Sequence, residues 1–237
     1  MLKAWQHHKI DRGTRSALQG SEDVLTSTVM GRLGYLPAAL QWAVLVGAEP
    51  EPLAGSQPWP KAQPAGAPTW ELWPSLPPPE GDGGRRVEPD VVLAWGPWLV
   101  IFEAKHRGEQ HADQWARQAR ALLAAREHSA DRLLHVALGG WRPARDQGRA
   151  AWFRDQADLS AVPLYRLGWR ALNGSLSRSR PPDLDPGLAA LIEDAQAFLD
   201  AAGHHHERGL WTLPRAHRAI GPLPSTLPSL PLLGADG

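Results

Sequence analysis

An aspartate, a glutamate and a lysine in the first half of the chain have the types and the spacing that chemistry requires. Asp90 ends the segment Val-Glu-Pro-Asp at 87–90, and Glu103 and Lys105 end Leu-Val-Ile-Phe-Glu-Ala-Lys at 99–105. If 99–105 is a strand, Glu103 and Lys105 emerge from one face, about 7 Å apart along the backbone. Carboxylates gathered in this way are costly to bury unless a cation accompanies them. Mg2+ takes oxygen ligands and keeps several waters, so two or three protein carboxylates suffice to hold it. Held there, it can shield a phosphate, lower the pKa of water and stabilise a leaving oxyanion, which phosphodiester hydrolysis requires. The lysine would stand beside the attacking water and offset part of the carboxylate repulsion. A Glu-x-Lys triplet alone occurs by chance, and its ordinary reading is a surface salt bridge at strand spacing. The preceding Pro-Asp, a turn between the two segments and a glutamine-bearing helix after them make the combination specific. Glu88 shares the face of Asp90 and is read either as a supporting group or as a solvated residue.

These residues need a hairpin to bring them together, and the surrounding sequence predicts one. Strands are expected over 86–94 and 98–105, with Gly96-Pro97 as the turn. In the second of them Leu99, Ile101, Glu103 and Lys105 share one face, and Val100, Phe102 and Ala104 share the other. Both faces are apolar until the end, as in a central strand covered on both sides. A short strand is expected before the hairpin, over 70–76. Upstream, Ser21 can cap a helix over 22–33, with Leu25, Val29 and Leu33 near helical spacing, and Pro37 starts a second helix over 38–47. Residues 48–69, rich in Pro, Gly and Ala, read as a loop. The clearest helix spans 111–128, with Ala112, Trp115, Ala116, Ala119, Leu122 and Leu123 as its apolar stripe. A strand over 133–138, a helix over 144–158, a strand over 163–168 and a helix from Pro186 to about 201 follow. The order helix, three strands, helix, strand predicts an α/β fold with a mixed sheet.

That order, with Pro89-Asp90 and Glu103-Ala104-Lys105, resembles the PD-(D/E)XK nuclease superfamily over residues 20–140. The segment 22–37 is also similar to the start of certain bacterial nuclease-like proteins. The resemblance implies a restriction-endonuclease-like core (αβββαβ, a mixed central sheet flanked by helices) with a C-terminal helical extension. The core lies at 20–140; residues 141–220 are read as an extension of the same domain, 1–220 in all, and 221–237, too rich in Pro to pack regularly, as a flexible tail. The resemblance implies Mg2+, with Mn2+ able to substitute, held by Asp90 and Glu103, and Lys105 orienting or activating the water. Glu22 matches the further acidic ligand that the family's first helix supplies. It shares a stripe with Leu25 and Val29, although acidic residues in a first turn also simply complement the helix dipole. Gln114 and Gln118, four apart on the 111–128 helix, match the family's glutamine motif, as contacts to substrate phosphate, as support for the metal ligands, or as solvated flanks of the stripe.

The activity so implied is a Mg2+-dependent nuclease acting on DNA in preference to RNA, in anti-phage defence or DNA processing, with a homodimer or a partner protein in a larger complex. The alternative is a catalytically silent nuclease-fold subunit that binds DNA or serves assembly. The composition permits either. Acidic and basic residues number 25 each, so the chain does not advertise nucleic-acid binding, although an acidic site and a basic surface can cancel in the sum. There is no cysteine, which excludes disulfides and zinc–thiolate sites and fits a reducing compartment. No apolar run approaches a membrane span and no secretory signal opens the chain, so a soluble cytoplasmic protein without a membrane partner is expected. The tract His204-His205-His206-Glu207 has no repeated partner spacing and is not read as a zinc site. His106 and Arg107 either meet a phosphate or solvate a loop. With 12 Trp against 3 Phe, the tryptophans are read as core more than as a nucleic-acid platform.

Overall fold

The computed structural model describes residues 21–81, 84–126 and 132–206. The tail expected at 221–237 lies outside the described residues. Helix α1 (Glu22–Gly34) is capped by Ser21, whose side chain accepts from the Val24 amide. Helix α2 (Ala38–Gly47) follows directly after Pro37. Strands β1 (Glu51–Leu53), β2 (Thr69–Leu72), β3 (Val91–Trp95) and β4 (Trp98–Lys105) come next. Helix α3 (Ala112–Arg126), strand β5 (Leu133–Gly139), helix α4 (Pro143–Arg154), strand β6 (Leu164–Leu167), helix α5 (Trp169–Arg178) and helix α6 (Pro186–Ala201) complete the described chain.

The six strands form one mixed sheet in the order β1-β6-β5-β4-β3-β2. The β2–β3, β3–β4 and β1–β6 pairs are antiparallel, and β4–β5 and β5–β6 are parallel. Both faces are covered. Val100, Phe102 and Ala104 of β4 join the core built with α1, α2, α5 and α6. Leu99 and Ile101 face the opposite core, built with α3 and α4. The hairpin between β3 and β4 turns on Gly96 and Pro97, with Trp95 paired to Trp98 and Gly96 at φ +55°. A two-residue connection with positive φ matches the twist of the strands it joins.

Four expectations differ from what is observed, each for a local reason. The strand expected over 86–94 begins at Val91, with only an isolated Leu76–Val87 bridge upstream. Pro89 has no N–H to continue the ladder. The strand expected over 70–76 ends at Leu72, because Trp73 takes φ +49° and Pro74 follows. Within the expected loop at 48–69, Glu51–Leu53 pairs with β6 as an edge strand, where Pro52 is tolerated. Residues 141–206 are not only a helical extension: β6 extends the sheet, and α5 and α6 supply core residues on the α1 face. Among the described residues, no helix is long and apolar enough to cross a membrane.

Candidate functional site

The register of the hairpin places the first two carboxylates. Val91 lies opposite Phe102, so one further step sets Asp90 opposite Glu103. Opposed residues of an antiparallel pair project from the same face. Asp90 Oδ2 accepts the Ala104 amide at 2.7 Å, tying the end of β3 to β4. Glu103 is fully buried, on the face that α3 covers. Lys105, two residues on, turns its Nζ back to donate to Glu103 Oε1 in a short contact and to the Ala104 carbonyl at 3.0 Å. Glu22 arrives from the first turn of α1, across the end of the sheet. Its Oε1 accepts from Lys105 Nζ at 3.2 Å, and its Oε2 accepts the His106 amide at 2.9 Å.

Two carboxylates therefore pair with one ammonium, and the third, Asp90, is tied to the Ala104 amide beside them. Burial, and after it the charge of Glu103, pushes the Asp90 carboxyl up to about 7. Burial works against the Lys105 ammonium, but the charge and hydrogen bond of Glu103, aided by Glu22 and Asp90, outweigh it and raise its pKa.

Of the two glutamines, Gln118 enters this cluster and Gln114 does not. Gln118 is buried beneath the site and its Nε2 donates to Glu103 Oε2. Gln114 stays half-buried one turn earlier on α3. Glu88 is exposed on the segment before β3. Sequence reasoning passed over Gln110, whose Nε2 donates to the Glu103 and Gly139 carbonyls, each at 3.1 Å, while its Oε1 accepts from Trp115 Nε1 at 2.9 Å. It satisfies carbonyls at the C-terminal ends of β4 and β5. His135, buried in β5, was also missed; its Nε2 lies 3.3 Å from Gln118 Oε1. No local motif marks either residue. Gln110 comes to the site from the segment after β4, folding back on Glu103, and His135 comes through the pairing of β5 with β4.

The end of β5 lies close over Lys105. Gly139 and Gly140 have φ of +70° and +60°. A Cβ on Gly140 would fall 2.4 Å from Lys105 Cβ, and one on Gly139 would fall 2.2 Å from the Lys105 carbonyl oxygen. Only glycine allows both the conformation and the approach. That carbonyl also accepts from Trp169 Nε1 at 3.0 Å. An open cleft of about 670 Å³ lies beyond, lined by Gly139, Gly140, Trp141, Arg166, Arg178 and His204 among others. It adjoins the Lys105 backbone, and the site carboxylates do not line it. His204, from the tract after α6, sets its Nε2 3.0 Å from His106 Nδ1. Burial, with the positive charges of His106, His205 and Arg107, lowers its pKa to about 4.

Among the described residues, no three His, Asp or Glu side chains converge ready-made on a point that would hold a metal. The donor set still suits a hard divalent ion. It offers carboxylate oxygens only, and burial beside Glu103 raises the Asp90 carboxyl to about 7, which a nearby cation would relieve. A cation that keeps several of its waters needs only two such ligands. Compared with family models, curated proteins and solved structures, the chain matches none.

Proposed function

We propose that this protein is a Mg2+-dependent nuclease with a restriction-endonuclease-like core, hydrolysing phosphodiester bonds of DNA in preference to RNA. The observation that carries the reading is the gathering of Asp90, Glu103 and Glu22 around Lys105, with the Asp90 carboxyl driven up to about 7. The element order supports it: apart from α2 and β1, which intervene after α1, the chain runs α1, β2–β3–β4, α3, β5, the succession such a core requires.

Asp90 and Glu103 would hold the ion, with Glu22 as a further ligand and Mn2+ able to replace Mg2+. When bound, the ion would supply Lewis-acid charge neutralisation and a water of lowered pKa. Everything else falls to the chain's own groups. Asp90 gives up its proton when positive charge arrives, so binding strengthens as pH rises through 7. Lys105 keeps its ammonium charged and hydrogen-bonded to Glu22 and Glu103, and turning from Glu22 would let it donate to a phosphate oxygen. Glu103 is held rigidly, by Lys105 on one oxygen and Gln118 on the other.

The test is incubation of linear, circular and single-stranded DNA, and of RNA, with Mg2+ or Mn2+. The wild type is compared with Glu103→Ala and Lys105→Ala. Cleavage of DNA by the wild type, abolished in both variants, is expected. Cleavage equal in all three proteins would overturn the mechanism, and no cleavage of any substrate would favour a silent nuclease-fold subunit.

A further inference from the structure

A short polar chain runs through the core beneath the carboxylates on the α3 face. His135 is fully buried in β5, opposite Ile101 of β4, with the rings of Trp115 and Phe153 centred 6.1 and 5.9 Å from its own. Its Nε2 lies 3.3 Å from Gln118 Oε1, and the other end of that amide donates to Glu103 Oε2. The direction of the chain follows from its last member. The Glu103 carboxylate accepts, so Gln118 presents its NH2 to it and its carbonyl to His135. A carbonyl oxygen can only accept, so His135 carries its proton on Nε2. Its Nδ1 is then a bare acceptor, buried with no hydrogen-bond partner among the described residues.

An orphaned acceptor in an apolar pocket is unfavourable, and a leucine would fill the same space without it. What the imidazole contributes is the proton on its far nitrogen. Without it Gln118 Oε1 becomes a buried acceptor with nothing to accept. The side chain is then drawn toward water, and Glu103 loses the donor that pins one of its oxygens.

We propose that His135 is a positioning residue: its Nε2–H locks the Gln118 amide against Glu103, and through it fixes the carboxylate that faces Lys105. The proposal deepens the nuclease reading and rests on it for its catalytic consequence, while the lock itself is a property of the resting protein. Residues that orient a ligand in this way are commonly worth 10–100-fold in activity or metal affinity.

The variants separate the proton from the packing. Glutamine places its side-chain nitrogen near where the imidazole Nε2 stands; asparagine reaches only as far as Nδ1. His135→Leu and His135→Asn are therefore expected to cut DNA cleavage and calorimetric Mn2+ affinity by about 10–100-fold. His135→Gln restores most of both, and Tm stays within about 3 °C in all three. His135→Leu combined with Gln118→Leu is expected to be no worse than Gln118→Leu alone. In the metal-free wild type, 15N NMR should show a neutral His135 protonated on Nε2, and a Gln118 side-chain proton shifted downfield by the carboxylate. In His135→Leu that shift is lost. Equal losses in His135→Leu and His135→Gln, additive losses in the double variant, or a His135 protonated on Nδ1 would each overturn the proposal. A wild type that cleaves nothing would sink the nuclease reading alone, and the NMR and Mn2+ measurements would still decide the lock.

Discussion

Two ionic clusters lie near opposite ends of the segment from β4 to α4, and they are balanced in opposite ways. At the end of β4, Glu22 and Glu103 share the Lys105 ammonium, and burial, with the charge of Glu103, pushes the neighbouring Asp90 up to about 7. In the second cluster, Glu109 meets Arg142, Arg145 and Arg149 at 3.2, 3.0 and 3.1 Å. There Asp146, fully buried, accepts from the Arg142 amide and from Arg149. Each oxygen of Asp146 accepts a hydrogen bond, one of them from a guanidinium; Asp90 accepts from a backbone amide and, among the described residues, pairs with no cation. A saturated carboxylate belongs to the scaffold, whereas a buried carboxylate short of positive charge marks a place built for a ligand that brings it.

The largest effect should therefore come from neutralising one carboxylate in each cluster. Under the proposed activity, Glu103→Gln is expected to lower cleavage by at least about 10²-fold, and Glu109→Gln to leave it within about twofold. Comparable losses in the two variants, measured as initial rates under saturating Mg2+, would erase the distinction between site and scaffold.

Stability should separate the same clusters by sign. The folded pKa of Asp90, about 7, lies above the value near 3.8 of an unperturbed aspartate. The folded protein thus holds an extra proton between those values. Its contribution is complete below about pH 4 and is lost as pH rises through 7. Asp90→Asn removes the penalty of a buried charge, so it should stabilise the metal-free protein by about 1–3 kcal/mol at pH 8 and by nothing at pH 4. Asp146→Asn sets an NH2 against one of the two donors in place of an accepting oxygen and should destabilise it by about 1–3 kcal/mol. Urea titrations at both pH values read the result, and two shifts of the same sign would refute the comparison.

Adding the cation should then reverse the order for Asp90. Mn2+ at a hundred times its dissociation constant stabilises the wild type by about 2.7 kcal/mol if it binds only the folded state. The gain should be larger at pH 8 than at pH 6, because binding expels the Asp90 proton, and it should vanish in Asp90→Asn and Glu103→Gln. A Tm that rises equally in all three proteins would place the ion elsewhere.

How much of this could be read from the chain depended on how local the cause was. The β3–β4 hairpin was legible because Gly96-Pro97 and the apolar run before Glu103 are adjacent in sequence, and α1, α3 and α6 carry their caps or stripes within themselves. Helix α5 was missed. Asn173, Gly174 and two serines depress its helical propensity. Its small residues instead serve packing: Ser175 Oγ donates to the Val44 carbonyl at 2.7 Å, and a Cβ on Gly47 would fall 2.6 Å from that oxygen. The same limit applied at the site. Asp90, Glu103 and Lys105 follow from strand periodicity. Gln118 was legible only as one of two glutamines on a helix face, because the choice between them depends on where β4 passes beneath. His135 sits in an apolar run that carries no mark of its neighbour, and it reaches the site only through parallel pairing with β4.

The smallest effect is expected at the rim of the second cluster. Arg145 is well exposed and shares Glu109 with two other guanidiniums, so removing it leaves that carboxylate paired. Exposed pairs of this kind contribute little and are screened by salt. Arg145→Ala should shift Tm by no more than about 2 °C and leave cleavage within about twofold, at both 50 mM and 500 mM NaCl. The informative failure is a split between the two readouts. If cleavage fell severalfold at low salt while Tm held, and the loss faded as salt rose, Arg145 would be meeting a polyanion. The saturated cluster would then be part of the substrate's path, and the boundary between site and scaffold would move from Lys105 out to the start of α4.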